Sequence, residues 1–168
     1  KSQIPRDPEW EFPHHFYRPL YQVNPAPAHK TSQSRIDMNA ITENAAEVLL
    51  LLFLLIIFLQ SGIDKVIDWK GNLSWLKDHF SQSSLAAVVP AMFFMITITE
   101  LAAGILSVLG LLQLVSGSGN NLAFWGAVVS CLALIMLLFG QRMAKDYEGA
   151  KTIAIYFMPA IFLVFLLQ

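Results

Sequence analysis

The sequence predicts an all-α membrane protein, a four-helix transmembrane bundle preceded by an extended N-terminal arm. Of its 168 residues, 55% are hydrophobic and 14% are charged, which is too apolar for an ordinary soluble domain of this length. The apolar residues are collected in four runs, at about 45–63, 90–115, 122–140 and 150–167. Each run approaches the roughly 20 residues that a helix needs to cross a bilayer. Residues 38–168 are therefore expected to be the membrane domain.

Residues 1–37 differ from the rest of the chain, because they hold most of the prolines and histidines and show no helical spacing of apolar residues. We expect an extended arm, either the tail of an upstream domain or a separate piece joined to a protein that begins at Met38. Adjacent His14 and His15 point in different directions in an extended chain, so no metal site is expected there. The arm is either a partly ordered tail or a segment that docks on a neighbouring subunit through its aromatic residues, Trp10, Phe12, Phe16, Tyr17 and Tyr21.

The first predicted span, residues 45–63, carries Glu47 as its one charge, and Gln60 lies near its end. Beyond it, residues 64–70 alternate charged and apolar side chains, which places this end at the membrane interface. The loop that follows mixes tryptophans with lysines and is typical of a short amphipathic segment at headgroup level. His79 in this loop is expected to be an exposed interfacial residue.

The second span contains Glu100, a carboxyl group within an otherwise apolar run. Pro90 suits a first helical turn, and this start places Glu100 about 15 Å along the helix, near the middle of the membrane. Steps of three and four residues put a small, polar set on one face of the helix: Thr97, Glu100, Gly104 and Ser107. Because a charged side chain is costly in the bilayer, we expect Glu100 to face the bundle as a neutral carboxyl.

Three hydrogen-bond partners are expected for this carboxyl group: Thr97, Gln60, or a backbone carbonyl released where Pro159 kinks the fourth span. Glu100 then either carries a proton or holds the bundle in register, and the sequence leaves both roles open. In the third span, Gly126 and Ser130 share a small-residue stripe that is expected to pack against the Glu100 face. Cys131 is the one cysteine, so an internal disulfide or a Cys-x-x-Cys redox pair is excluded.

Lysine and arginine are concentrated in the loops after the first and third spans, whereas the loop 116–121 has none. By the positive-inside rule, both basic loops are expected in the cytoplasm and both termini outside. The 11 basic and 12 acidic residues form no basic surface for nucleic acid, which is excluded as a partner. The expected surroundings are the lipid bilayer and other membrane-protein subunits.

Residues 61–69, Ser-Gly-Ile-Asp-Lys-Val-Ile-Asp-Trp, close the first span, and residues 100–110, Glu-Leu-Ala-Ala-Gly-Ile-Leu-Ser-Val-Leu-Gly, lie within the second. With the four-span layout, these elements resemble the DoxX family over residues 38–168. The resemblance implies a small protein of the bacterial inner membrane, some of whose relatives are membrane subunits of thiosulfate:quinone oxidoreductase or terminal quinol oxidase systems.

Three interpretations of the function follow. The first is a non-catalytic accessory subunit of a respiratory or other membrane complex, favoured by the arm and the small-residue helix faces. The second is a quinone-linked oxidoreductase subunit in which Glu100 transfers a proton. The third is a small carrier or channel, for which more polar residues would be expected at mid-membrane. No intrinsic cofactor is expected, haem is disfavoured because the spans lack histidine pairs, and quinone is the one ligand considered.

Overall fold

The structure is a computed structural model that describes residues 38–168, so the predicted arm lies outside the described residues. Within that range every regular element is a helix. The short α1 (Met38–Glu43) leads into α2 (Ala45–Ile67), and α3 (Trp69–His79) follows it. The chain then continues through α4 (Val89–Val115), α5 (Asn121–Met143) and α6 (Tyr147–Leu167). The all-helical, four-span prediction is confirmed.

The four long helices, α2, α4, α5 and α6, are each long and apolar enough to cross a membrane. Their outer faces carry large exposed apolar side chains, among them Ile56, Ile105, Ile135 and Phe165. Such faces suit contact with lipid, in which backbone polar groups must be satisfied within each helix. The protein is therefore an integral membrane protein that crosses the bilayer several times.

Three helices extend beyond the predicted spans by several residues, and one of them is α5, which continues past residue 140 to Met143. α2 continues past residue 63 to Ile67, with the Lys65 side chain partly buried and Asp64 exposed. α6 begins at Tyr147, where Asp146 acts as N-cap and its carboxylate accepts a hydrogen bond of 2.9 Å from the Gly149 N–H. α6 also runs through Pro159 without a break in the helix.

The core lies along α4, which packs against α2 on one side and against α5 on the other, while α6 packs mainly on α5. Large apolar side chains fill the space between the helices, including Leu51, Phe58, Phe93, Leu134 and Leu163. The basic loops meet at one end of the bundle, where the His79 Nε2 lies 3.7 Å from an Asp146 carboxylate oxygen. His79 is thus partly buried and not the exposed interfacial residue expected.

Small residues bring α4 and α5 into close contact. A Cβ atom added at Gly110 would lie 2.4 Å from the Cα of Ala123, and one added at Gly126 would lie 3.1 Å from the Leu106 carbonyl carbon. Neither neighbour can move away independently, because both contacts involve backbone. The Gly126 stripe of α5 therefore packs against α4, as small-residue faces do in membrane bundles.

We predict that Gly110→Ala separates α4 from α5, since the added methyl group meets the backbone of Ala123. The expected loss is about 1–3 kcal/mol in the free energy of unfolding, as for other overpacked cores. The measurement is unfolding in detergent followed by circular dichroism. Gly140→Ala is the matched control, because its added Cβ would lie at an ordinary 3.6 Å from Phe80. Equal stability of the two variants would contradict the close contact.

Candidate functional site

The candidate site lies where α2 crosses α4, at a pair of glycines. A Cβ atom added at Gly62 of α2 would lie 2.7 Å from the Leu101 side chain of α4, and one added at Gly104 of α4 would lie 2.9 Å from the Leu59 backbone of α2. Each helix thus places a glycine against a leucine of the other. The close crossing brings the polar side chains beside the glycines within reach of one another.

Glu100 is the buried acidic group at this crossing, with 1% of its surface exposed. One of its carboxylate oxygens, Oε2, lies 2.8 Å from the Nζ atom of Lys65 on α2. The Lys65 side chain is 19% exposed, so the ammonium group lies between the buried carboxylate and the surface of the bundle. Glu100 is therefore paired with Lys65, a partner that is not among those expected from the sequence.

Ser61 completes the site, one helical turn before Lys65. The Lys65 ammonium donates a hydrogen bond of 2.5 Å to the Ser61 hydroxyl oxygen, and this hydroxyl donates one of 3.2 Å to the Oε1 atom of Glu100. A hydrogen-bonded chain therefore runs from the partly exposed ammonium group to the buried carboxylate. The Oε2 atom is held by the charge of Lys65.

The position of Glu100 along the bundle follows from its partners on α2. Ser61 and Lys65 are two to six residues from the end of α2 at Ile67, or about 3–9 Å. The first turns of α4 extend beyond this level and pack against α3, where the Trp69 ring lies 4.4 Å from the Phe93 ring. Measured from the end of α2, Glu100 therefore lies close to the α3 end of the bundle. Its distance of about 15 Å from Pro90 along α4 instead predicts a position near the middle of the membrane.

Neither of the side chains expected to hydrogen-bond Glu100 does so. The Thr97 hydroxyl donates to the Phe93 carbonyl oxygen at 2.7 Å, and Gln60 is exposed on the outer face of α2. Thr97 faces its own helix because a threonine hydroxyl readily reaches the carbonyl four residues earlier. The predicted hydrogen bonds from Thr97 and Gln60 to Glu100 are therefore wrong.

The small-residue face predicted on α4 is buried but serves two neighbours. Gly104 packs against α2, whereas Ser107 lies at the α5 contact, where the Ser107 backbone nitrogen is 3.1 Å from a Cβ built at Gly126. The buried hydroxyls of Ser107 and Ser130 donate to the carbonyl oxygens of Ala103 and Gly126 in their own helices, each at 2.8 Å. These serines pack and do not contribute hydrogen bonds to Glu100.

Lys65 and Ser61 are the site residues that sequence reasoning missed. Their signal was present, because the buried stripe of α2, formed by Leu51, Leu54, Phe58 and Gly62, reaches Lys65 at the next step of three. The charged residues around Lys65, however, indicate a position at the membrane interface. The sequence signal of such an ion pair is a lysine on the buried stripe of one helix together with a glutamate on the buried stripe of another.

The remaining candidates from the sequence are Cys131, the arm residues and possible metal ligands. Cys131 is buried among apolar residues of α5, as predicted. The arm residues from Trp10 to Tyr21 lie outside the described residues, so their docking role stays a prediction. Within residues 38–168, no three His, Cys, Asp or Glu side chains come together as metal ligands would. The candidate site itself consists of the hydrogen-bonded chain of Lys65, Ser61 and Glu100.

We predict that Lys65→Met lowers the free energy of unfolding by about 3 kcal/mol, because it leaves the buried Glu100 carboxylate without its counter-charge. The double variant Lys65→Met/Glu100→Met should recover most of this loss, since it removes both charges. Unfolding in detergent measures each variant.

Lys151→Met is the control for this experiment, because Lys151 and its partner Glu148 are 68% and 88% exposed. It should change stability by less than about 1 kcal/mol. Additive losses in the double variant would show that Lys65 and Glu100 do not stabilise the bundle as a pair.

Comparison of the chain with protein-family models, with curated proteins and with solved structures finds no match. The resemblance to the DoxX family therefore stays a prediction from residues 61–69 and 100–110. The candidate site is defined by its own geometry: a Lys65–Glu100 ion pair bridged by Ser61 at a glycine crossing of two membrane helices.

Proposed function

We propose that this chain is a non-catalytic accessory subunit that binds a neighbouring membrane protein through the outer face of α2. The observation that carries the proposal is Gln60, an exposed amide at the centre of an exposed apolar stripe. The stripe is formed at helical spacing by Leu49, Leu52, Ile56, Ile63 and Ile67. We call it the α2 outer face.

Gln60 makes no hydrogen bond with any residue in the described part of the chain. A side-chain amide facing hydrocarbon without a partner is costly. The side chains of a helix lean towards its N-terminus. The Gln60 side chain therefore leans towards the middle of α2 and away from the interface, which lies at the Asp64 end of the helix. A glutamine of a second helix, or a serine or carbonyl, would satisfy the amide, because such groups hydrogen-bond across membrane helices.

Two further features support a subunit role. The Lys65–Glu100 pair holds α2 against α4, so the α2 outer face is presented on a fixed helix. The resemblance to DoxX proteins favours a respiratory complex of the bacterial inner membrane as the assembly. The basic residues at the α3 end, Lys65, Lys70, Lys77, Arg142, Lys145 and Lys151, favour a cytoplasmic position of that end.

We predict that Gln60→Leu weakens the association with the neighbouring subunit, because it removes the side-chain amide from the α2 outer face. A membrane-helix hydrogen bond is worth about 1 kcal/mol, so the recovered partner should fall roughly fivefold. The measurement is affinity purification of the tagged chain from native membranes in mild detergent, with quantification of co-purifying subunits.

Thr99→Val is the matched control on another helix. Thr99 donates to the Met95 carbonyl oxygen at 2.8 Å within α4 and therefore needs no partner from outside. This variant should co-purify the same subunits as the unchanged chain. A Gln60→Leu protein that keeps its partners, or an unchanged chain that leaves native membranes as a monomer, would contradict the accessory role.

A second candidate function is proton transfer in a quinone-linked oxidoreductase, and one observation favours it. The Lys65-Ser61-Glu100 chain joins a partly exposed donor to a buried carboxylate. Such an arrangement suits a proton that passes from the α3 end of the bundle to the carboxylate and on to a quinone ring, while an electron donor in another subunit of the oxidoreductase reduces that ring.

For this function, Glu100→Gln is predicted to lower quinone-dependent turnover by about 100-fold, since an amide cannot exchange the proton. Assembly should persist, because the amide still accepts the Ser61 hydrogen bond. Turnover is measured on the purified complex with a soluble quinone, beside the exposed Glu148→Gln control. Full turnover of an assembled Glu100→Gln complex would assign Glu100 a structural role.

A further inference from the structure

The contact between His79 and Asp146 joins α3 to the start of α6 at the α3 end of the bundle. His79 is the last residue of α3, and Asp146 is the N-cap of α6. The Nε2 atom of His79 lies 3.7 Å from the Oδ2 atom of Asp146. This distance is too long for a hydrogen bond but lies within the range of an ion pair. The strength of the contact therefore depends on whether the imidazole is charged.

The His79 ring is held in one orientation towards the carboxylate. Trp75 stacks on the ring with a centroid distance of 4.8 Å and an interplanar angle of 15°, and the Phe80 ring lies across it at 5.4 Å. The Nε2 atom is shielded from water and makes no hydrogen bond within residues 38–168. While the ring is neutral, a shielded polar atom without a hydrogen bond costs free energy. A protonated ring instead places a positive charge beside a carboxylate.

Two further features favour the protonated ring. His79 ends α3, and a positive charge at the C-terminus of a helix is stabilised by the helix dipole. The Asp146 carboxylate is fixed, because its Oδ1 atom accepts a hydrogen bond of 2.9 Å from the Gly149 N–H, and its Oδ2 atom faces His79. Histidine is the side chain whose charge ordinarily changes between about pH 5 and pH 8.

The other charged groups around this contact are exposed, so water and salt screen them. Residues 80–99, which lead from α3 into α4, carry no ionisable side chain. The exposed charges belong to the end of α3, the end of α5 and the start of α6: Lys77, Asp78, Arg142, Lys145, Glu148 and Lys151. Asp146 is thus the partly buried carboxylate that the imidazole meets in the described chain.

We propose that His79 and Asp146 form a pH-sensitive clasp, an ion pair that fixes the last turn of α3 to the start of α6 in acid and is lost when the imidazole becomes neutral. Since no residue of α3 is buried, a contact at its end has a large share in holding the helix on the bundle. The clasp lies apart from the α2 outer face and from the Lys65–Glu100 pair, so it holds under either candidate function.

The test is a double-mutant cycle on the full chain in detergent, at about pH 5.5 and at about pH 8.5. His79→Gln removes the charge of the ring, and Asp146→Asn removes the carboxylate while keeping a good N-cap. In acid, the two changes should be coupled roughly fivefold in the equilibrium constant of unfolding, as expected of a partly exposed ion pair. At the higher pH the coupling should fall below about twofold. The titration of other groups cancels, because they are present in all four proteins.

Asp78→Asn is the matched control, because Asp78 is an exposed carboxylate next to His79 on α3 itself. In a cycle with His79→Gln it should show less than about twofold coupling at both pH values. Hydrogen exchange of residues 74–79 adds a local readout once the intrinsic effect of pH on exchange is removed. The unchanged protein should be roughly fivefold better protected in acid, and His79→Gln should lose this difference.

Equal coupling of His79 and Asp146 at the two pH values, or none at either, would overturn the proposal, because the contact would then not depend on the charge of the imidazole. A pH-dependent coupling of the same size between His79 and Asp78 would place the partner on α3 and contradict the clasp. If Asp146→Asn disrupts the start of α6, hydrogen exchange of the His79→Gln protein decides. Protection that keeps its pH dependence without the imidazole would then refute the clasp.

Discussion

The Lys65–Glu100 ion pair is the constraint on which the arrangement of the bundle depends. A carboxylate that is 1% exposed inside a membrane protein needs a counter-charge, and the 2.8 Å contact with Lys65 supplies it across two helices. The glycine crossing allows this contact. At Gly62 and Gly104 no side chain separates the two helices, so α2 and α4 approach each other closely. Packing and charge therefore specify the same register: a slip of one turn would both separate the charges and place side chains where the glycines now lie.

This constraint divides the surface of the bundle into regions with different properties. With its Gly62 and Lys65 side turned to α4, α2 must turn Ile56 and Gln60 outwards, and this produces the exposed amide that we assign to a neighbouring subunit. On the other side of α4, Gly110 and Gly126 bring α5 close. Towards the α3 end, α4 and α5 carry bulkier side chains such as Phe93 and Met136, and a cavity of about 580 Å³ lies among them.

The ion pair also bears on both candidate functions. As a structural element, it holds the α2 outer face in one orientation, which an accessory subunit needs in order to present a binding surface. In chemical terms, the same groups form a continuous hydrogen-bonded chain, because Ser61 both accepts from Lys65 and donates to Glu100. The two functions make different demands on Glu100: the first requires only that the helices stay paired, whereas the second requires a carboxyl group that exchanges its proton.

The sequence by itself determined the number, the approximate bounds and the helical nature of the spans, because long apolar runs in a bilayer have no alternative that satisfies the backbone. It also determined that Glu100 faces inwards and that Gly104 and Gly126 lie at helix contacts, because their small neighbours recur at helical spacing. Only the tertiary structure decided the partners. The charged neighbours of Lys65 indicate a position at the interface, but a glycine crossing of two helices brings Lys65 to Glu100. At this crossing Ser61 meets Glu100, which is 39 residues away in the sequence. Gln60 is placed on the outside by the same register, since a helix that turns one face inwards must turn the opposite face out.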